Sequence, residues 1–425
     1  MLTREDNELL CQTTAGTPMG EMLRRFWIPF AMVDQLPSPD CDPIEVHLLG
    51  EHLVGFRDSS GRLGLVEDFC PHRGAPLFYG RNEENGLRCI YHGWKFDVDG
   101  RCLEMPSEPA KSNFKDKVRL VSYPVREMGN VLWAYMGPKE KVPGLPHLEW
   151  AQLNASQVHM VRYNQECNWV QALEGDIDSS HVGFLHRGAL GQEMAASQED
   201  IQHLMFDTSP RWIVENTEYG VMLAAQRNTK DPSKDYWRIN QWLEPFVTMI
   251  PPAIHQRRAH GHMWVPLDDE HTEVWCVQWA PDEEISQGER LLVEGGPLPH
   301  IATKDPVTGR LRATKENHFL QSRELQRKGL YSGIVGVREQ DTAVVEGMGA
   351  IARRWREHLG TSDLPVIAMR RRLVNDAKAL AADGTEPMAA RSGEVFGVRS
   401  WTALLDSQQA FKDNPEVAVQ MKARY

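Results

Sequence analysis

Cys70-Pro71-His72-Arg73-Gly74-Ala75 and Cys89-Ile90-Tyr91-His92-Gly93-Trp94 are the two stretches whose reading decides the fold. Each arm offers one thiol and one imidazole, as C-x-H and C-x-x-H, and sixteen residues lie between His72 and Cys89. Structural zinc sites more often pair Cys with Cys and His with His at short spacing. One Cys and one His per arm suits a two-iron cluster in which Cys70 and Cys89 hold one iron and His72 and His92 the other. Gly74-Ala75 and Ile90-Tyr91 stand where a second cysteine in each arm would allow a disulfide beside the cluster. Fewer constraints and hydrogen bonds around the sulfurs point to the lower part of the potential range.

Outward from the arms the apolar pattern has period two. Ile44, Val46 and Leu48 alternate, Gly50-Glu51 turns, Leu53 to Phe56 follows, and Asp58-Ser59-Ser60-Gly61 turns again before Leu63, Leu65 and Val66. Such short runs with turn signals between them are hairpin strands. Residues 38–138 therefore read as a small all-β domain carrying both arms on its loops. Residues 1–37 read as a helical lead-in expected to pack on the larger second domain, 139–425. A Pro/Gly-rich join at 136–146 opens a larger second domain, 139–425. There, 168–186 reads as helical, 211–280 as strands, and 318–328, 341–359 and 364–382 as charged helices with apolar residues three and four apart.

A second metal site is offered by Asp178-Ser179-Ser180-His181-Val182-Gly183-Phe184-Leu185-His186. On a helix Asp178 and His181 share a face, and Gly183 allows a bend that brings His186 to the same ion. Glu174 would stack on Asp178, a mild cost unless a cation sits nearby. Two imidazoles and one carboxylate with open positions suit Fe(II). Spacing alone does not select that carboxylate from 59 acids.

Composition bounds the partners. Lys plus Arg number 47 and Asp plus Glu 59, a net charge of −12, which argues against nucleic acid. No apolar run approaches the roughly 20 residues of a bilayer span, and the acidic start lacks a signal-peptide core, so the reading is cytoplasmic without membrane contact. Seven scattered cysteines fit metal or thiol use better than a disulfide frame.

Four stretches carry a family resemblance: residues 70–75, 89–97, 168–181 and 338–346, the last reading Arg338-Glu339-Gln340-Asp341-Thr342-Ala343-Val344-Val345-Glu346. The chain resembles the oxygenase components of Rieske non-heme iron aromatic-ring oxygenases, in particular the phthalate dioxygenase branch. The resemblance implies an α+β chain: an all-β Rieske [2Fe–2S] domain, a helix-grip catalytic domain, and additional C-terminal helices. It implies one [2Fe–2S] cluster and one mononuclear Fe(II) per chain, with His181, His186 and Asp341 as the iron ligands. It makes Asp178 a bridge from His181 to the cluster ligand His92 of a neighbouring subunit, in a homotrimer or stacked hexamer. NAD(P)H would serve indirectly, through a reductase or ferredoxin partner, with O2 and an aromatic acid as substrates. A carboxylate in an apolar cavity calls for an arginine fork, for which Arg227 and Arg238 are candidates. Glu244 stands where an apolar residue is expected, facing a polar substrate or pairing with an arginine. The expected function is hydroxylation of a phthalate- or benzoate-like acid. The alternative is O-demethylation of a methoxylated aromatic acid. An electron-carrying ferredoxin on an inert scaffold would need no second metal set.

Overall fold

The period-two stretches are strands. The computed structural model describes residues 2–109, 111–189, 198–252, 254, 258–290, 304 and 311–424. By its internal contacts the chain forms two units, residues 13–145 and residues 1–12 with 146–425.

In the smaller unit Ile44–Leu48, Glu51–Arg57, Leu63–Glu67 and Ser122–Tyr123 form one antiparallel sheet. Arg81–Glu83, Gly86–Arg88, Lys95–Phe96 and Cys102–Glu104 form a second. Val54, Phe56, Leu77, Leu87, Trp94 and Phe96 bury a core that also encloses Cys70 and Cys89. The expected lead-in 1–37 is divided. Trp27–Met32 is a strand paired with Val131–Tyr135 and belongs with the smaller unit. Helix α1, Arg4–Cys11, belongs with the larger one, where Asn7 Nδ2 donates to the Ala352 carbonyl at 3.2 Å.

The larger unit is built on an antiparallel sheet whose strands we number β1 Val158–Gln165, β2 Arg211–Asn216, β3 Gly220–Asn228, β4 Lys234–Leu243, β5 Val247–Ile250, β6 Ala259–Pro266, β7 Thr272–Trp279 and β8 Trp401–Asp406. Their order is β1-β7-β6-β5-β4-β3-β2, with β8 sharing an edge of β4. Helix α2, Trp169–Ile177, packs on β5 and β6 through a buried face of Trp169, Val170, Leu173 and Ile177, the helix-grip arrangement. Asn168 caps its start, Oδ1 accepting from the Val170 amide at 3.2 Å.

Helix α2 ends sooner than the sequence pattern suggested. Asp178 is already extended (φ −89°, ψ 108°), and only a single 3-10 turn, His181–Gly183, follows. Helix α3 is Gln198–Phe206, α4 is Val337–Gly347 and α5 is Leu364–Asp383. The helix expected over 341–359 stops at Gly347, because Gly349 takes φ +99°, a left-handed conformation that glycine adopts without strain. Helix α5 starts at Pro365 in its first turn and stops at Gly384 (φ +77°). Among the described residues no helix is long and apolar enough to cross a membrane.

Glu174 has the cations its position demands. Its Oε1 accepts from Arg354 Nε at 3.0 Å and Arg370 Nε at 2.7 Å. Burial would raise its carboxyl, but the two guanidiniums offset that and hold it below the ordinary glutamate value. Replacing it by Gln should leave buried Arg354 without a carboxylate and Arg370 with Glu357 alone, at a cost of about 3 kcal/mol. In the Glu174→Gln protein, calorimetry near neutrality should show the larger unit melting roughly 5–10 °C lower. A lowered carboxyl stabilises above its unfolded value and loses that effect as pH falls through the folded value. The gap between variant and parent should therefore close on acidification.

Candidate active site and its metal centres

The two cysteine–histidine arms share one backbone design. In the first, the Cys70 amide donates to the Ala75 carbonyl (2.9 Å) and Gly74 to Cys70 (2.8 Å); in the second, Cys89 donates to Trp94 (2.8 Å) and Gly93 to Cys89 (2.9 Å). Gly74 and Gly93 have φ of +72° and +76°, and a Cβ on Gly93 would meet Pro106 Cγ at 2.7 Å. Cys70 and Cys89 are buried free thiols, and burial, with Cys89 alongside, pushes the Cys70 thiol up to about 11. The His72 and His92 rings lie 4.5 Å apart at 72°, and His72 stacks on Trp94 at 4.4 Å. His92 Nδ1 is buried with no hydrogen-bond partner. Two enclosed thiols and two converging imidazoles, one with an orphaned nitrogen, fit a [2Fe–2S] cluster.

In the larger unit the end of α2 turns into the second site. Asp178 Oδ1 accepts from the Ser180 amide at 2.7 Å, and its Oδ2 lies 3.5 Å from His181 Nδ1. The Leu185 amide donates to the His181 carbonyl at 2.8 Å, closing the turn that presents His186. His181 Nε2 and His186 Nε2 are 3.2 Å apart, and Asp341 Oδ1 on α4 lies 3.6 and 3.3 Å from them. These three residues form a group whose ligand atoms could hold one metal ion. Burial opposes charge on Asp341, yet His186 and Arg338 hold its carboxyl well below the usual carboxylate range. A two-imidazole, one-carboxylate set of this kind fits Fe(II) with open positions.

Sequence reasoning missed the charges behind Asp341. Arg338 Nη1 lies 3.6 Å from Asp341 Oδ2 and 3.9 Å from Asp176 Oδ1, while its Nη2 donates to His262 Nε2 at 3.0 Å. Nδ1 of His262 is 2.6 Å from Asp176 Oδ2, which also accepts from Thr248 Oγ1 at 2.6 Å. Two signals were available: Arg338 precedes Asp341 by one helical turn, and His260 and His262 share one face of a strand.

A cavity of about 140 Å³ opens on His181, His186 and Asp341 and is also lined by Arg238, Asn240 and His260. Ile201, Leu204 and Ile250 give it apolar walls. Burial, with His262 and Arg258 near, holds His260 down to about 4, so it lines the cavity as a neutral ring. Arg238 projects from β4 with its Nε unpartnered. The other two candidate contacts lie outside this cavity. Arg227 does not line the cavity: its Nη2 donates to the Ser179 carbonyl at 2.8 Å and its Nε to Asp207 at 3.0 Å, pinning two loops. Glu244 is buried elsewhere against Arg372 Nε at 2.9 Å. Arg372 also donates to the Thr217 and Gly220 carbonyls at 2.6 and 2.7 Å.

An all-β unit with paired Cys/His arms, together in one chain with a helix-grip unit holding two histidines and an aspartate, defines the class of Rieske non-heme iron oxygenases. Residues 26–124 match the Rieske [2Fe-2S] domain family, and residues 134–421 match the family described as LigXa C-terminal domain like. The chain is 38% identical to the 3-chlorobenzoate-3,4-dioxygenase oxygenase subunit of Comamonas testosteroni, over 91% of each chain. It is 39% identical to the phthalate 4,5-dioxygenase oxygenase subunit of Pseudomonas putida, over 93% of this chain and 90% of that one. Similarity extends to the 5,5'-dehydrodivanillate O-demethylase oxygenase subunit of Sphingobium sp., 32% identical over 92% of this chain and 83% of that one. Among solved structures, Pseudomonas putida CBB5 NdmA with caffeine shares the fold, with a TM-score of 0.61 at 18% identity over 92% of this chain and 100% of that one. The chain belongs to the Rieske oxygenase family and is the oxygenase component of a multicomponent system that draws electrons through a reductase or ferredoxin partner. Its cofactors are a [2Fe–2S] cluster, which supplies single electrons when bound, and a mononuclear iron, which supplies the site of O2 reduction.

Replacing His181 by Ala should remove the mononuclear iron and spare the cluster. Iron per chain should fall from about three to about two with the cluster's visible absorbance unchanged.

Proposed function

We propose that this oxygenase hydroxylates an aromatic carboxylic acid held in the cavity with its carboxylate on Arg238, using His181, His186 and Asp341 as the iron ligands. One observation carries the choice: Arg238 lines the cavity that opens on those ligands, and its Nε has no protein partner. The acids nearby are already engaged. Asp200 accepts from Tyr236 Oη at 2.6 Å and from the Ile254 amide at 3.0 Å. Asp176 is bonded to His262 and Thr248, and Asp341 is paired with His186 and Arg338. A guanidinium with a free donor in a largely apolar cavity matches a carboxylate. The names of the chlorobenzoate and phthalate relatives agree with an aromatic acid.

Within this reading Cys70, His72, Cys89 and His92 hold the cluster, and Asp178 hydrogen-bonds His181 and, in a homotrimer or stacked hexamer, His92 of a neighbouring copy. Asp178 is suited to this because it already faces His181 Nδ1 and its side chain keeps 29% exposure. A carboxylate accepting from two imidazoles would orient both.

The test is a single turnover. The reduced protein is given a panel of aromatic and methoxy-aromatic acids, then O2, and products are weighed. Gain of two oxygens and two hydrogens identifies ring dihydroxylation. Loss of CH2 with formaldehyde identifies the O-demethylation of the dehydrodivanillate relative's name instead. No product from any acid would overturn the substrate class. Arg238→Gln should raise KM for the acid by roughly 10- to 100-fold, as expected for loss of a charge-assisted contact, with a smaller change in kcat. Asp178→Asn should keep both metals bound while stopped-flow reoxidation of the cluster slows by orders of magnitude; an unchanged rate would remove Asp178 from the path.

A further inference from the structure

Gln340 stands beside Asp341 on α4 and is fully buried. Its amide is held at both ends. Nε2 donates to the Ile334 carbonyl at 2.7 Å, and Oε1 lies 2.7 Å from His186 Nδ1. Only one assignment of hydrogens satisfies both contacts. A main-chain carbonyl only accepts, so the amide group facing Ile334 is the NH2. The atom facing His186 is then the amide oxygen, which also only accepts, so His186 Nδ1 carries its hydrogen. An imidazole binds a metal through the ring nitrogen that carries no hydrogen, which leaves Nε2 for that role. That Nε2 is the nitrogen 3.3 Å from Asp341 Oδ1 and 3.2 Å from His181 Nε2.

We infer that Gln340 is a positioning residue: it fixes the tautomer of His186 so that Nε2 faces the metal, and it does so without charge. Ligand histidines commonly give their second N–H to a carboxylate, a main-chain carbonyl or water. Here His181 has the carboxylate Asp178, whereas His186 has an amide. A second carboxylate at this depth would add to the buried charges of Asp341 and Asp176, and an amide supplies the same acceptor geometry while adding none. The Ile334 carbonyl that orients the amide is itself well placed. Ile334 packs with Ala313 and Phe319, and its turn is set by Gly333 (φ +73°), where a Cβ would lie 2.5 Å from the Ser322 carbonyl. The inference rests on His181, His186 and Asp341 as the metal ligands and is independent of the substrate.

The test is metal affinity in the full-length protein. The mononuclear iron is removed with a chelator, Co(II) is titrated in and followed by its visible bands, and the cluster's absorbance reports the fold. Gln340→Leu, which offers His186 Nδ1 no acceptor, should weaken Co(II) binding about 10- to 100-fold. Gln340→Glu, which keeps an acceptor there and loses the amide donor to Ile334, should bind within a few-fold of the parent. If Gln340 merely ties down the Ile334 turn, both variants weaken alike and the inference fails; it fails too if Gln340→Leu binds as tightly as the parent. Should Gln340→Leu not fold, Gln340→Glu decides: retained affinity supports the inference and lost affinity overturns it. Asp341→Ala is the control for the ligand set. Undiminished Co(II) binding by that protein would overturn the ligand assignment and this inference with it, whereas a failure confined to the Gln340 variants would leave the ligands standing.

Discussion

The larger unit is organised around a carboxylate that has to stay charged where little water reaches it. Asp341 meets His181 and His186 at 3.6 and 3.3 Å, and Arg338, one helical turn before it, stands 3.6 Å away on its other side. A buried guanidinium in turn needs its own partners, and Asp176 and His262 supply them. The acids at the end of α2 therefore divide the work by direction. Glu174 takes Arg354 and Arg370, Asp176 takes His262 and Arg338, and Asp178, beyond the last helical residue, takes His181. Ending the helix at Ile177 is what frees Asp178 to face the ligand turn, where a continued helix would have stacked it above Glu174.

That geometry also explains what could be read in the chain beforehand. The cluster arms were legible because each places its thiol and imidazole within one tight turn, so spacing alone carries the chemistry. The His181/His186 pair carried less by itself, since its spacing also suits two surface histidines, and it gained weight from the cluster arms upstream. Asp341 is 155 residues beyond His186, and only family resemblance pointed to it. Its support from Arg338, with His262 and Asp176 behind, joins α2, β6 and α4, contacts that no local pattern encodes. The tail helix was read too long because apolar periodicity continues past Gly347, although the left-handed Gly349 stops the backbone there.

The two candidate arginines show a subtler limit. Arg227 and Arg238 lie on adjacent strands, with Arg227 opposite Tyr236 and Ala225 opposite Arg238, so their side chains leave the same face of the sheet. Alternation cannot separate them. What separates them is what each meets over that face: the Ser179 and Asp207 carbonyls consume Arg227, and the cavity begins two residues along β4 from Tyr236, at Arg238. Glu244, which could face a substrate or pair with an arginine, is paired with Arg372 from α5.

The two histidines that meet Asp341 end in unlike surroundings, and under the proposed ligand assignment this bears on how the site is used. His186 is closed in by the fully buried Gln340, whose amide is itself fixed by a main-chain carbonyl. His181 and its partner Asp178 keep 22% and 29% side-chain exposure. One imidazole thus has a neutral, enclosed partner on its Nδ1 side, and the other a partly exposed carboxylate. An oxygenase component must accept electrons from outside while keeping its metal geometry constant. With His181 and His186 as the proposed ligands, an uncharged support on His186 and a charged, accessible one on His181 would assign those two demands to different residues, so that a change around Asp178 need not disturb the side of the site that faces Gln340.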